Sequence, residues 1–500
     1  MVDIILAKFE SELAQHRIAP PLGILYVADA LQKAGFSVRL IHDEGTRANI
    51  EQFVNSVGKE QPIYVGLSTM TGPSLMPTME ASMQIKRDHS SYVVWGGLHP
   101  TMLPKQTLED DFVDFVVIGE GERTAVELAT VLRKYGFDSH KLHGIAGLGF
   151  KSDKQIVITE PRDFIRNLDE IHPAWDLIDI RKYIYSNEYF FSYFGSHLPG
   201  DKIATIITSR GCPWRCAFCY NQPVNKQTFR AQSAGRVIRD VQELKAQHNI
   251  GSVVFEDDHF FTDRQRGLEI VRNIGIPWAT TIRANYIAQW GEPFVKELSE
   301  RACQELWIGA ESGSQRMLDL MRKDITVDQI RRAVQLCSAY GIRAIVGFMI
   351  GIPGETWEDV RQTMDLMDEL EEVSKDAVVN SPAVYHPFPG TPLFDVAVEH
   401  GFDPPTSTEG WCRVSMWDYK ADLPPYVDEK IRLVAYYKRL ASRRDWDNVS
   451  FSFPAKILGR LARLRWKKRF FDLPVDYGAA ALGWEMMQKL GLKRIARSLW

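Results

Sequence analysis

An α/β chain in two tandem domains is predicted: an open, doubly wound parallel sheet, then a partial (β/α)6 barrel, with a mostly helical region behind them. Three observations predict it. Short apolar runs alternate with helix-period stretches over residues 1–135, and again over 201–400. Loops rich in Gly, Ser, Thr and acids follow the runs, which puts the chemistry at the carboxyl ends of parallel strands. The balance of 45% hydrophobic and 25% charged residues is that of a globular chain, and 500 residues allow about three units at roughly 150 each.

In the first half the strand runs are Ile4–Ala7, Val38–Ile41, Ile63–Leu67, Tyr92–Trp95 and Phe115–Ile118. A helix is expected over Leu22–Gly35, stopped by its glycine. The loops after the later strands are Ser68-Thr-Met-Thr-Gly72, Gly96-Gly-Leu-His-Pro100 and Gly119-Glu-Gly-Glu122. No G-x-G-x-x-G follows the first strand, so a nicotinamide or flavin dinucleotide is not expected. This domain is assigned residues 1–140, and the aromatic-rich stretch 141–200 reads as a connector.

In the second half, assigned 201–395, the runs are Ile203–Thr208, Ser252–Glu256, Trp278–Ile282, Glu305–Ile308, Arg343–Ile350 and Ala377–Tyr385. Thr326-x-x-Gln329 and Thr356-x-x-Asp359 read as capping boxes, and Gly341 as a helix stop. Six strand–helix units favour a partial barrel over a second flat sheet. Residues 396–500 read as helical.

A net charge of −4 points to no nucleic-acid partner. The tail differs: residues 455–500 hold eleven Lys or Arg against three acids, a net +8. There Lys456, Arg460, Arg463 and Lys467 share one helical face beside Ile457, Leu461 and Leu464. A helix packed on the barrel is the favoured reading, with contact to an anionic membrane surface as the alternative. No apolar run approaches the roughly 18 residues of a bilayer span. The first residues read as a strand without a basic leader, so a cytoplasmic location is expected.

Three of the six cysteines stand in Ser209-Arg-Gly-Cys212-Pro-Trp-Arg-Cys216-Ala-Phe-Cys219-Tyr220, directly after a strand. A loop with C-x3-C-x2-C spacing lets three thiolates hold a four-iron cluster and leave one iron open. The open iron would chelate the amino and carboxylate groups of S-adenosylmethionine (SAM) and reduce its sulfonium to a 5′-deoxyadenosyl radical. Structural zinc usually takes four ligands, and no fourth Cys or His lies between Cys219 and His248 or between His197 and Cys212. Buried metal-free thiols are the other bland alternative. Cys303, Cys337 and Cys412 stand alone and are expected in the core.

The cysteine motif, with Phe218 before its third Cys, resembles that of the radical SAM superfamily. Glu256-Asp-Asp258, Arg283, Gly309-Ala-Glu-Ser-Gly313, Gly347-Phe-Met-Ile-Gly-Ile-Pro-Gly-Glu355 and Pro387-Phe-Pro-Gly-Thr-Pro392 extend the resemblance over most of residues 201–395. It implies Cys212, Cys216 and Cys219 as ligands of a 4Fe-4S cluster, with Phe218 near the adenine of SAM. Arg283, Glu311 and Ser312 are candidates for SAM contacts, and Asp257 and Asp258 for contacts to SAM or substrate. No Cys precedes Cys212, which separates this chain from methylthiotransferases, whose extra cluster lies upstream.

The ordered pieces Pro20-Pro-Leu-Gly-Ile-Leu-Tyr26, Gly66-Leu-Ser-Thr-Met-Thr71, Gly96-Gly-Leu-His-Pro-Thr101 and Ile118-Gly-Glu-Gly-Glu122 resemble the Rossmann-like cobalamin-binding domain of class B radical SAM enzymes. The anaerobic magnesium-protoporphyrin monomethyl ester cyclase and radical SAM methyltransferases share this layout. The resemblance implies cobalamin contacts from Ser68, Thr69, Met70, Thr71, Gly97, His99, Glu120 and Gly121. The D-x-H-x-x-G pattern of a lower axial His is absent, so the lower cobalt face is expected to lack a His ligand; Met70 is a candidate to cover it, and ordinary loop packing is the favoured reading for both Met70 and His99.

Together these readings imply methylation of an unactivated carbon through methylcobalamin. Radical oxidation or cyclisation of the porphyrin-cyclase type is the alternative, and a non-catalytic cobalamin or redox sensor the reading from another class. Expected partners are a small-molecule or lipid-like substrate and a reductant such as flavodoxin or ferredoxin.

Overall fold

The computed structural model describes residues 2–11, 20–186, 197–414, 423–441 and 453–472. Its first sheet contains β1 (Ile4–Glu10), β2 (Val38–Glu44), β3 (Tyr64–Ser68), β4 (Tyr92–Gly96), β5 (Phe115–Val117), β6 (Leu148–Ser152) and β7 (Gln155–Ile158), in the order β2-β1-β3-β4-β5-β6-β7. The first five strands are parallel. Their alternate residues feed two cores. Ile5, Ala7, Val65, Val93 and Trp95 pack on one face; Ile4, Leu6, Tyr64, Val94 and Phe115 pack on the other. Burial on both faces is why these strands read as unbroken apolar runs.

Strands β6 and β7 extend this sheet as an antiparallel pair within the stretch expected to be connector. The turn between them uses Asp153 and Lys154 at φ 49° and 64°. A turn with positive φ usually announces itself with Gly or Asn, and here neither is present.

The second sheet contains β8 (Ile184–Tyr185), β9 (Ile203–Ile206), β12 (Ser252–Phe255), β13 (Trp278–Ile282), β14 (Cys303–Glu311), β15 (Arg343–Ile350) and β16 (Val378–Val379), with β17 (Ala383–Val384) also on β15. Between β9 and β12 lies a separate antiparallel ribbon, β10 (Ser209–Arg210) and β11 (Arg230–Ala231). From β9 to β16 all neighbours are parallel, while β8 joins β9 antiparallel. Among the described residues β9 and β16 do not pair, so the barrel is open. The sixth run divides into two short strands around Asn380–Pro382, because Pro has no N–H for the ladder. Both capping boxes form, at Thr326–Gln329 and Thr356–Asp359. The concave face carries Ile203, Val254, Ala279 and Trp307, and the convex face packs on the surrounding helices.

Two C-terminal features bear on the site. Helix Phe453–Lys468 packs on the barrel: Trp466 Nε1 donates to Asp368 at 2.6 Å, and Arg469 reaches Asp365 and Asp368. Residues 405–412 instead return to the first domain. Trp411 Nε1 donates to Gln106 Oε1 at 2.8 Å, Gln106 Nε2 to the Pro405 carbonyl at 2.9 Å, and Thr408 Oγ1 to Asp110. Trp411 and Cys412 are part of the first domain's core.

Candidate functional site

The three cysteines lie on the loop between β10 and β11, at the carboxyl end of β9. Cys216 is buried, Cys212 and Cys219 are half-buried, and all are free thiols. Burial pushes Cys219 up to about 11 and raises Cys212. Gly211 turns the chain into the loop at φ 80°, and an added Cβ there would overlap the Thr228 carbonyl oxygen. The loop is tied down by Ala217 N donating to Met321 O (2.8 Å) and Leu393 N donating to Ala217 O (2.9 Å). Among the described residues no three His, Cys, Asp or Glu groups gather as the ligands of one metal ion.

The acids after β12 have a different place from the one expected. Asp257 is fully buried and accepts from Thr208 N and Oγ1, both at 3.0 Å, and from Ser209 Oγ. Asp258 accepts from Gly211 N at 3.2 Å and Tyr220 OH at 2.7 Å. Both therefore buttress the cysteine loop; buried N–H and O–H groups at this bend need acceptors.

Arg283, at the end of β13, directs Nη1 to Cys216 Sγ at 3.4 Å, lies 3.9 Å over the Trp214 ring, and donates to the Lys323 carbonyl. Glu311 ends β14 at φ 62°, just past a register shift, and its Oε1 accepts from Lys323 Nζ at 2.7 Å. An added Cβ at Gly309 would overlap that carboxylate oxygen. The Lys323 ammonium lies 5.7 Å from the Phe218 ring centre. Thus Cys212, Cys216, Cys219, Phe218, Arg283 and Glu311 come together as expected, with Lys323 and Trp214 as additions that local sequence does not reveal. Ser312 turns away: it is buried, and its hydroxyl pairs with Thr363 at 3.0 Å and accepts from Ser314 N. Its role is to shape the turn. His259, behind the loop, packs edge-on to Tyr286, and its buried Nε2 has no hydrogen-bond partner. Burial, with Arg283 and Lys323 nearby, holds that imidazole down to about 3.

Glu256 stands two residues beyond concave-facing Val254, one level with Thr281 and Trp307. Burial, then the adjacent Asp257, pushes its carboxyl up to about 7. Burial likewise raises Asp257 to about 6 and Glu355 to about 8. Carboxyls raised on folding keep protons that the unfolded chain releases, so stability falls as pH rises through that window. The melting temperature of the apo chain is therefore expected to fall between pH 5 and pH 8, and Glu256→Gln to flatten the fall. An unchanged slope in that variant would sink the assignment. Glu10, lowered to about 2, titrates below this range, whereas the buried His99 and His259, held down to about 4 and about 3, oppose the fall below about pH 6.5, so it is steepest above that.

At the carboxyl edge of the first sheet, Thr69 N donates to Gly96 O at 2.9 Å and His99 N to Thr69 O at 3.4 Å. Gly97 permits this approach: at φ 99° an added Cβ would meet Thr69 O at 2.5 Å and Ser68 Oγ at 3.3 Å. Ser68, Thr69, Thr71, Gly97 and His99 therefore form one cluster. Met70, 51% exposed, stands out from it. His99 is fully buried, its Nδ1 is 3.1 Å from Thr71 Oγ1, and its Nε2 has no partner. Gly121 opens helix Gly121–Tyr135, packed against Val27 and Val117. Glu120 is drawn elsewhere: Arg210 and Arg230 donate to its Oε1 and Ile165 N to its Oε2.

The chain matches the radical SAM superfamily over residues 206–367 and the B12 binding domain over residues 16–129. It is similar to an uncharacterised methyltransferase of Pyrococcus horikoshii, 29% identical over 419 residues, covering 82% of this chain and 85% of that protein. It is also similar to the anaerobic magnesium-protoporphyrin IX monomethyl ester cyclase of Rubrivivax gelatinosus, 27% identical over 387 residues. That match covers 75% of this chain and 66% of the longer cyclase. The solved structure of the radical S-adenosylmethionine methyltransferase TsrM of Kitasatospora setae, with cobalamin and a 4Fe-4S cluster bound, is similar at a TM-score of 0.63 and 18% identity. The match covers 96% of this chain and 100% of that one, and it is a likeness of fold.

Proposed function

We propose that this chain, which matches the B12 binding domain and the radical SAM superfamily in tandem, is a cobalamin-dependent radical SAM enzyme that methylates an unactivated carbon of a small organic substrate. The observation that carries this reading is the adjacency of its two cofactor regions. The strand entering the cysteine loop is ion-paired through Arg210 to Glu120, in the loop after β5 at the carboxyl edge of the first sheet, at 2.9 Å, and to Glu122, in the first turn of the helix that follows, at 2.6 Å.

The residues fit both cofactors. Three free thiols on one loop, with a guanidinium against one of them, suit an anionic iron–sulfur cluster. The close-approaching loops at Thr69 and Gly97, under a protruding Met70, suit a flat ring laid on the sheet edge. When bound, the cluster supplies the electron that cleaves SAM, and cobalamin carries the methyl group. The protein's own part is to bind and orient. Lys323 and Arg283 offer cations for the methionine carboxylate of SAM, and Phe218 offers an apolar face for its adenine. Glu311 offers its second carboxylate oxygen to ribose hydroxyls. Apolar residues Ile203, Val254 and Ala279, with Trp307 packed on them, line the concave face of the open barrel.

The overall change balances with two SAM and two electrons. One SAM gives its methyl group to the substrate and leaves as S-adenosylhomocysteine. The other breaks to methionine and 5′-deoxyadenosine, which keeps the substrate hydrogen. The electrons come from a low-potential donor of flavodoxin or ferredoxin type. The test is anaerobic incubation of the reconstituted chain with SAM and a chemical reductant. S-adenosylhomocysteine together with 5′-deoxyadenosine is the expected result; 5′-deoxyadenosine alone would replace this reading with oxidation or cyclisation.

A further inference from the structure

Two short motifs from different domains meet in the interior. Arg210 of Ser-Arg-Gly-Cys212 sends Nη1 to Glu120 at 2.9 Å and Nη2 to Glu122 at 2.6 Å, while its guanidinium lies 4.9 Å from the Tyr26 ring centre. Its ladder partner Arg230 donates to the same Glu120 oxygen at 2.6 Å and to the Ile165 carbonyl at 3.1 Å, beneath the Phe164 ring. Two acids and two cations thus close a neutral network, with the Arg230 and Glu122 side chains only 6% exposed. Burial raises the Glu120 carboxyl, but Arg210 and the bonds it accepts hold it below its ordinary value.

The network continues into both cofactor regions. On one side Arg210 is separated from Cys212 only by Gly211, whose N–H is fixed by Asp258. On the other, Gly119 N donates to Thr101 Oγ1 at 3.0 Å, and Thr101 donates to Gly97 O at 2.7 Å, within the cluster around Thr69. A buried ion-pair network rarely adds much net stability, but it does fix geometry.

We propose that Arg210, Arg230, Glu120 and Glu122 form a positioning clasp that sets the spacing between the cysteine loop and the corrin-facing loops. This rests on the methyltransferase reading. A SAM molecule held at the cluster gives up its methyl group only if cobalt stands in line with it. Its reductive cleavage needs the cluster alone. The clasp therefore governs methyl donation and leaves radical formation untouched.

The test uses Arg210→Lys, which keeps the charge but loses the two-pronged fork, and Glu122→Gln, which removes one prong with little change of shape. In the apo chains, hydrogen exchange is expected to rise at residues 118–122 and 209–212 and to stay level elsewhere. After reconstitution with iron, sulfide and cobalamin, 5′-deoxyadenosine per cluster should match the parent. S-adenosylhomocysteine per 5′-deoxyadenosine should fall about tenfold or more, the scale of a misplacement near 1 Å. An unchanged ratio in both variants overturns the clasp, and so does loss of the cluster from both, since the network would then merely support the loop. A parent chain that yields no S-adenosylhomocysteine overturns the methyltransferase reading instead.

Discussion

Gly211→Ala should produce a folded chain that no longer assembles its iron–sulfur cluster, although every thiol is intact. The residue sits at φ 80°, where a side chain costs roughly 1–2 kcal/mol before any contact is counted. The new methyl would also overlap the Thr228 carbonyl oxygen and meet Asn225 Cβ at 3.0 Å. Both neighbours belong to the far side of the same loop, so relief means opening it and moving Cys212 away from Cys216 and Cys219. Iron content and the visible spectrum after anaerobic reconstitution should fall on the order of tenfold, since each 1.4 kcal/mol is a factor of ten. Gly235→Ala is the control: that glycine is helical, its nearest neighbour would be Arg239 Nη1 at 3.7 Å, and the change should be neutral or stabilising. Equal iron in parent and Gly211→Ala would show that the loop does not need its left-handed turn.

The second large effect is expected at Lys323. Its ammonium and the Glu311 carboxylate form a largely buried pair, 9% and 16% exposed, and removing one partner of such a pair costs about 3 kcal/mol or more. Lys323→Met should thus be destabilised and should lose most SAM cleavage. The double variant Lys323→Met with Glu311→Gln separates the two effects. It leaves no unpaired charge, so the melting temperature should largely recover and the cluster spectrum should persist. SAM cleavage should stay depressed by on the order of 10²-fold, the worth of two charge-assisted contacts at about 1.5 kcal/mol each. A double variant that cleaves SAM like the parent would make the pair a structural prop and nothing more.

Local features carried most of what was legible before the fold was known. The parallel strands are buried on two faces, so Ile63–Leu67 and Arg343–Ile350 stand out as apolar runs. The cysteine triplet sits within eight residues, and capping boxes are complete in four. What escaped depends on contacts between distant residues. Lys323 follows a helix and a tight turn, and only the backward bend at Glu311 brings it to the site. Glu120 looked like a cofactor ligand because its loop is glycine-rich, and its true partners lie 90 and 110 residues away. Asp257 and Asp258 looked free for ligand, since nothing in a linear sequence shows that the cysteine loop turns its N–H and O–H groups toward them. Ser312 stands in the turn after β14 that its sequence marks, but its hydroxyl is turned inward to Thr363, a contact 51 residues away.

The return of residues 405–412 to the first domain has a consequence for synthesis. The amino-terminal sheet leaves the ribosome long before Trp411 and Cys412, which belong to its interior. Until they arrive, that sheet carries an unfilled hollow beside Gln106 and Met79. The nascent protein must hold its half-finished front open while the whole barrel is made, then close it with a piece from the back. A ribosome stalled before codon 405 would strand an unfinished half, and excising the front as an independent module would leave the same gap.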